Sequence, residues 1–113
     1  MQHFRNEHRQ LLVKLLQKTK DIEAGELSPD RVHWFKTDAA YVRSHGPYYG
    51  FGKWFGDHPE AIRVRFRRAI NDLECWELIT AHSQFGGKLT NLALTPAGRE
   101  QAERLESEVA IAT

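Results

Sequence analysis

Residues 61–70, AIRVRFRRAI, most constrain the fold of this chain, because they fit both a strand and a helix. Apolar residues alternate with arginines over 62–67, which is the period-two pattern of a strand with one basic face. The strand pattern breaks at Arg67–Arg68, whereas a helical stripe of apolar residues continues for about five turns. The sequence therefore predicts a helix over about 58–75. The apolar stripe consists of Ile62, Phe66, Ala69, Ile70 and Leu73.

A helix start signal lies just upstream of this stripe. Asp57 followed three residues later by Glu60 has the form of a capping box, with the aspartate as N-cap. Pro59 falls within the first turn, where proline is tolerated because its missing N–H would have no partner there. These residues favour the helix over the strand.

Helix geometry, at about 100° per residue, decides where the arginines of this stretch point. It sends Arg63 and Arg65 to opposite flanks of the apolar stripe. Val64 is the diagnostic residue, because a strand would bury it beside Ile62 whereas a helix would expose it. The predicted outward face consists of Glu60, Ala61, Val64, Arg67, Arg68 and Asn71.

The charge distribution indicates a local anion-binding face on a nearly neutral domain. The chain has 113 residues, enough for one compact domain, and its net charge is only +1. Four arginines fall within residues 63–68, while the stretch 99–108 is acidic on balance. These features exclude a polycation but allow a basic patch.

The sequence predicts neither export nor membrane insertion. Its N-terminus, MQHFRNEHRQ, is polar and charged, unlike a signal peptide, and no apolar run is long enough to span a bilayer. The single Cys75 cannot form an internal disulfide, and we expect it to be a small buried residue. A cytoplasmic protein is the expectation from these features.

Two helices are predicted before this region. Residues 3–24 carry an apolar stripe of helical period, and Gly25 fits a C-terminal stop. Residues 28–46 begin with Ser28 as an N-cap and end in a Gly-Pro pair. The glycine-rich segment that follows has room for a short helix at 51–55. Its aromatic residues are predicted to anchor the core, and they are Tyr48, Tyr49, Phe51, Trp54 and Phe55.

A β-hairpin followed by a helix is predicted for the remainder of the chain. Gly86–Gly87 lies between two runs of β-forming residues, which indicates strands near 78–84 and 88–94. Thr95 has the residue type of an N-cap, and Pro96 suits the first position of a last helix.

The sequences RRAINDLECWELI, at 67–79, and LTPAGR, at 94–99, carry a family resemblance. The chain resembles the winged helix-turn-helix superfamily, especially small bacterial and archaeal regulators, over about residues 51–105. The recognition helix of such regulators commonly ends in R-A-L-x-x-L-E-x-x-G-L-I, and their wing commonly ends in L-T-x-x-G-R. Trp76–Glu77 departs from this pattern, which carries a small residue or glycine before L-I. The matching residues are Arg68, Ala69, Ile70, Leu73, Glu74, Leu78, Ile79, Leu94, Thr95, Gly98 and Arg99.

The resemblance implies a fold and an assembly. The fold class is α+β, mostly α: a winged helix-turn-helix with a two-stranded β-hairpin wing and flanking N- and C-terminal helices. Residues 1–113 would form a single winged-helix domain. The flanking helices, 1–25 and 96–113, would serve as dimerisation surfaces of a homodimer, with Leu12 and Leu16 on the edge of the first helix.

The resemblance also implies sequence-specific binding to double-stranded DNA, as in a transcriptional regulator. The helix at about 58–75 would lie in the major groove, and the wing at about 78–94 would contact the backbone or the minor groove. The implied DNA-binding residues are Arg63, Val64, Arg65, Arg67, Arg68, Asn71, His82, Gln84 and Lys88.

Each residue type on this helix suits a different part of the duplex. Arg67 and Arg68 suit guanine edges or phosphates, and Asn71 suits adenine. Val64 suits the methyl group of thymine. The two flanking arginines would reach phosphates, which position the protein without reading sequence.

Other interpretations of the same residues remain open. Arginines on a surface helix commonly form a solvated face, paired here with Asp72 or Glu74. A winged helix can also act as a protein-interaction module, in which case the aromatic segment 47–55 would be an exposed patch. Binding to RNA or the ribosome is a third interpretation, which a comparison of duplex DNA with structured RNA would separate from the first.

The sequence contains no pattern typical of an enzyme, a metal site or a cofactor site. The six histidines are scattered, without the i, i+4 or H-E-x-x-H spacing of zinc ligands. The glycines at 50, 52 and 56 give G-x-G-x-x-x-G, one residue longer than the dinucleotide motif and without a β-α-β context. We therefore expect no enzymatic activity, no metal and no cofactor.

Overall fold

The computed structural model describes residues 4–24, 44–84 and 89–112, and these residues form an α+β structure that is mostly helical. The segments 25–43 and 85–88, which hold most of the predicted second helix and the hairpin turn, lie outside the described residues. In chain order, the elements are α1 (Asn6–Glu23), α2 (Phe51–Phe55), α3 (Glu60–Cys75), β1 (Ile79–Gln84), β2 (Leu89–Leu94) and α4 (Pro96–Ala112).

The ambiguous stretch of the sequence is a helix, as predicted. Phe66, Ala69 and Leu73 of α3 are buried, and Ile62 and Ile70 are partly buried against the same core. Val64 is partly exposed on the side away from this stripe. The strand alternative, which would bury Val64 beside Ile62, is therefore wrong.

The predicted capping box at the start of α3 is wrong. Pro59 is the N-cap, and no side chain caps the helix. The Pro59 carbonyl accepts hydrogen bonds from the N–H groups of Ile62, at 3.0 Å, and Arg63, at 3.2 Å. Because Asp57 lies two residues before this N-cap, it is too early in the chain to cap the first turn. The Glu60 side chain does not cap the helix and instead forms ion pairs with Arg63 and Arg67.

Helix α1 supplies the largest share of the core. Leu11, Leu12, Leu15 and Leu16 are all buried and pack with residues of α3, β2 and α4. Leu12 and Leu16 are 0% exposed, so the prediction that they contribute to a dimer surface is wrong. They are covered by their own chain, and burying one such leucine contributes about 1.5–3 kcal/mol to stability.

The two strands pair antiparallel, with Ile79 opposite Leu94 and Gln84 opposite Leu89. The chain after Gly46 adds a short stretch of pairing to β2, through a bridge between Tyr48 and Asn91. Gly46 is required at this approach, because its φ is +90° and an added Cβ would lie 2.0 Å from the Leu92 carbonyl oxygen. The amide of Asn91, which is 0% exposed, donates to the Gly46 carbonyl at 2.8 Å.

The end of α3 explains the glycine of the family pattern. The N–H of Glu77 bonds to the Glu74 carbonyl at 3.0 Å, and the N–H of Leu78 bonds to the Leu73 carbonyl at 2.9 Å. This pair of bonds is a Schellman motif, in which the residue after the C-cap is left-handed and is usually glycine. Here that residue is Glu77, with φ +60°. Glu77 therefore stands where the pattern carries a small residue or glycine, and the turn still has the left-handed geometry of a Schellman motif.

Residues 94–99 join β2 to α4. Thr95 caps α4 as predicted, because its Oγ accepts the N–H of Gly98 at 3.0 Å while donating to the Glu77 carbonyl at 2.6 Å. Gly98 packs so closely on the preceding turn that an added Cβ would lie 1.8 Å from the Leu78 carbonyl oxygen. Arg99 donates to both carboxylate oxygens of Glu23, at 2.6 and 3.0 Å, which lowers the pKa of Glu23.

Replacing Gly98 with alanine is expected to destabilise the protein, because backbone must move to admit the new Cβ. We expect a loss of about 1–3 kcal/mol, the usual range for overpacking. Gly52→Ala is the matched control, because an added Cβ at Gly52 meets nothing within 4 Å. Urea unfolding of both variants measures the difference. Equal stability of Gly98→Ala and the unchanged protein would contradict the close packing described at this turn.

Glu77→Gly is expected to raise the free energy of unfolding. Glycine adopts the left-handed backbone conformation without the steric cost that glutamate has there. The greater conformational entropy of glycine in the unfolded chain offsets part of this benefit, which leaves a gain of about 0.5–1 kcal/mol. Glu77→Gln is the control, since it removes the charge and keeps the strained backbone. Thermal unfolding distinguishes the two, and an equal rise in both variants would assign the effect to charge.

Candidate nucleic-acid interface

The outward face of α3 carries the side chains that the sequence predicts for DNA contact. Arg63, Arg65, Arg67, Arg68 and Asn71 are exposed, and Val64 lies partly exposed among them. Cys75 extends this face toward the end of the helix. The prediction that this cysteine is buried is wrong: its thiol is exposed and free, because its helical position lies opposite the core stripe.

The four arginines of α3 divide into two pairs. Arg63 and Arg67 both form ion pairs with Glu60, the first at 3.8 Å between Nε and Oε2. The guanidinium of Arg63 also lies over the ring of Phe51, with Cζ 5.1 Å from the ring centroid. Within the described part of the chain, Arg65 and Arg68 have no ion pair. On one side of the face, two arginines therefore share one carboxylate, whereas the described residues give the arginines on the other side no acidic partner.

Asp72 does not neutralise the arginines of α3. Its Oδ2 contacts the guanidinium of Arg5 and the Nε2 of His8, each at 3.0 Å. The interpretation that Asp72 pairs with the outward arginines is therefore wrong. The described residues also show no ion pair between Glu74 and these arginines. Among the described residues, Glu60 is the acidic side chain that pairs with these arginines.

His8 connects the start of α1 to the second half of α3. It is only 1% exposed, and its Nδ1 accepts the backbone N–H of Arg5 at 2.9 Å. Since Nδ1 accepts, the proton lies on Nε2, which donates to Asp72. The ring of Trp76 packs on the imidazole with 4.9 Å between centroids. The apolar stripe over residues 3–24 does not predict this connection, because the partner is 64 residues away.

Helix α2 supports α3 from the other side. Four residues, 56–59, separate the two helices, and Gly56 turns the chain with φ +84°. Phe66 of α3 lies between Phe51 and Phe55, at centroid distances of 5.1 and 4.7 Å. His58 bonds to the Phe55 carbonyl at 3.0 Å. This arrangement is a short helix, a tight turn and a second helix that presents its polar face outward.

The aromatic segment before α2 packs mainly into the core. Phe51 and Trp54 are buried, and Tyr48, Tyr49 and Phe55 are half-buried. Burial raises the pKa of Tyr49 to about 12, against a smaller opposing effect of Arg63 and Arg67. These side chains therefore do not form the exposed aromatic cluster that the protein-interaction alternative requires.

Of the predicted wing residues, the structure describes His82 and Gln84. His82 is exposed on β1 opposite Asn91, and its ring lies against that of His45 with 4.8 Å between centroids. It is therefore two residues from the end of β1. Gln84 is the last residue of β1, and Lys88 lies outside the described residues.

Removing the His8 side chain is expected to lower the free energy of unfolding. His8→Leu fills a similar space but leaves the Arg5 N–H and the Asp72 carboxylate without this partner, at a cost of about 1–3 kcal/mol. Asp72→Asn is the control, because the amide oxygen still accepts from Nε2. Urea unfolding should therefore rank Asp72→Asn between the unchanged protein and His8→Leu. The reverse ranking would contradict the assigned tautomer.

Comparisons with known proteins add no family to these observations. No protein-family model, curated protein or solved structure matches the chain. Within the described ranges, no three His, Cys, Asp or Glu side chains are grouped so that they could hold a metal ion. No described helix combines the length and apolar character needed to cross a bilayer. The functional argument therefore rests on the geometry of α3 and the elements that support it.

Proposed function

We propose that this protein binds double-stranded DNA in a sequence-specific manner, as a transcriptional regulator of the winged helix-turn-helix type. The observation that carries the proposal is the outward face of α3. Several donors project there from a helix that is fixed on both sides, by α1 through His8 and by α2 through Phe51 and Phe55. An exposed α-helix of this kind fits the width of the major groove.

The local architecture supports this assignment. A helix-turn-helix joins two helices through a turn of three or four residues that often contains glycine, and α2, residues 56–59 and α3 have this form. The antiparallel pair β1 and β2 follows α3 directly, where a wing would follow a recognition helix. The two matched sequence motifs precede and follow this pair along the chain, and they meet where Ile79 pairs with Leu94.

The proposed base-reading residues lie along the exposed side of α3. Arg67 and Arg68 would bond guanine edges or phosphates, Asn71 would bond adenine, and Val64 would contact a thymine methyl group. The flanking arginines, Arg63 and Arg65, would bond phosphates on the two sides of the groove. Arg65 and Arg68 are exposed and form no ion pair among the described residues, so binding to DNA would not cost them a protein partner.

The wing and the dimer complete the proposal. The exposed His82, together with Gln84 and Lys88, would contact the backbone or the minor groove. A homodimer through α1 and α4 would present two copies of α3 to a palindromic site. Because Leu12 and Leu16 are buried, this contact would use the outward residues of those helices. Val13 is partly buried there, in an open groove of about 550 Å³.

The test is the salt dependence of DNA binding by Arg67→Gln/Arg68→Gln. Fluorescence anisotropy would use 30-base-pair duplexes, including the DNA upstream of the protein's own gene, with a structured RNA at the same salt concentration. If both arginines contact phosphates, the slope of log K against log salt should fall in magnitude by about 2. At moderate salt, we expect affinity to drop at least tenfold, about 1.4 kcal/mol.

Arg104→Gln is the control, because Arg104 is an exposed arginine on α4 that pairs with Glu100 at 3.9 Å. It removes positive charge away from α3 and should leave the slope nearly unchanged. Circular dichroism verifies the folding of each variant, and light scattering gives the mass of the free protein. An unchanged slope in the folded double variant, or tighter binding to RNA than to every duplex, would overturn the proposal.

A further inference from the structure

We infer that Glu60 is a specificity-determining residue, which holds Arg63 and Arg67 in the unbound protein and thereby weakens binding to DNA of arbitrary sequence. The inference rests on the proposed function, since it concerns the same face of α3. Glu60 is an acidic side chain at the first position of α3, whose outward face carries four exposed arginines. None of the DNA contacts expected from the sequence includes this residue.

The geometry places one carboxylate between two guanidinium groups. Glu60 Oε1 bonds to Arg67, and Oε2 lies 3.8 Å from the Nε of Arg63. Arg67 is seven residues further along the helix, so it reaches back by two turns. Helical side chains lean toward the N-terminus, which makes this direction of approach favourable. Both oxygens of Glu60 therefore face the arginines, although Glu60 itself is 69% exposed.

Arg63 is further restrained by the core, because its guanidinium lies over the Phe51 ring. Arg65 and Arg68, on the other side of α3, have no such acidic partner among the described residues. Glu60 consequently acts on one half of the basic face and leaves the other half free.

A DNA phosphate must compete with Glu60 for the same guanidinium groups. On DNA of arbitrary sequence, the phosphate displaces the carboxylate, which then stays near the duplex as a like charge without a partner. On a sequence that presents a cytosine amino group at this position, the released carboxylate can accept a hydrogen bond from it. The penalty therefore falls mainly on sequences without such a donor, and specificity is a difference of this kind between affinities.

The expected size of the effect is modest, because the ion pairs are exposed. Surface pairs of this type and the loss of one like charge beside DNA together predict an increase of about 3- to 10-fold in affinity for arbitrary DNA when the carboxylate is neutralised. The salt slope should change little, since the same arginines contact phosphates in the bound state of both proteins.

The experiment compares Glu60→Gln with Glu74→Gln on a 30-base-pair duplex of randomised sequence, by fluorescence anisotropy at several salt concentrations. Glu74 is exposed on the same helix and makes no ion pair within the described residues. Because each variant replaces one glutamate with glutamine, the two variants have the same net charge. We expect the 3- to 10-fold gain for Glu60→Gln and a gain below about 2-fold for Glu74→Gln. Equal gains in the two variants would overturn the inference, as would no gain at Glu60.

A double-mutant cycle tests whether Glu60 acts through Arg67. In the Arg67→Gln background, the gain from Glu60→Gln should shrink to less than half, because the main partner is gone. A full gain in that background would show a general charge effect and would overturn the inference. Failure of the unchanged protein to bind any duplex would instead refute the proposed function. A protein that binds duplexes but gains nothing from Glu60→Gln would refute the inference alone.

Discussion

The packing of α3 against α1 is the interaction on which the rest of the structure depends. Phe66, Ala69 and Leu73 on one helix and the leucines of α1 on the other are buried together, and the strands and α4 close over the same cluster. Ala69 is 0% exposed, and its small side chain takes up little space within this packing. Because this contact uses one side of α3, it determines which side remains for a ligand.

Two polar contacts then set the orientation of α3 within this apolar packing. Hydrophobic contact alone is not directional, whereas the bonds from His8 and Arg5 to Asp72 have fixed donors and one acceptor. Near the middle of α3, two rings of α2 pack against Phe66. The proposed function depends on this combination, since side chains that read bases must project from a helix whose rotation is restrained.

Local sequence patterns predicted the elements well, because their signals lie within a few residues of each other. The stripe of α3, the two strands and the cap at Thr95 are examples. The wrong predictions concern side chains whose partners are distant in the chain, or side chains for which a nearby residue competes with the predicted partner. Leu12 is covered by elements that follow it by more than forty residues, and Glu60 turns to Arg67 instead of capping its own helix. Cys75 was assigned by residue type, although its helical position already indicated exposure.

The anchor at Asp72 has a consequence for how such a chain can evolve. Insertion of one residue between Pro59 and Asp72 would turn the preceding part of α3 by about 100° relative to the anchor. The apolar stripe of that part would then face the flank of the helix instead of the core, and polar side chains would be turned toward α1. Substitutions on the outward face carry no such penalty. Related chains can therefore change their ligand preference through substitutions on the outward face of α3. The number of residues between the turn and Asp72 must stay constant.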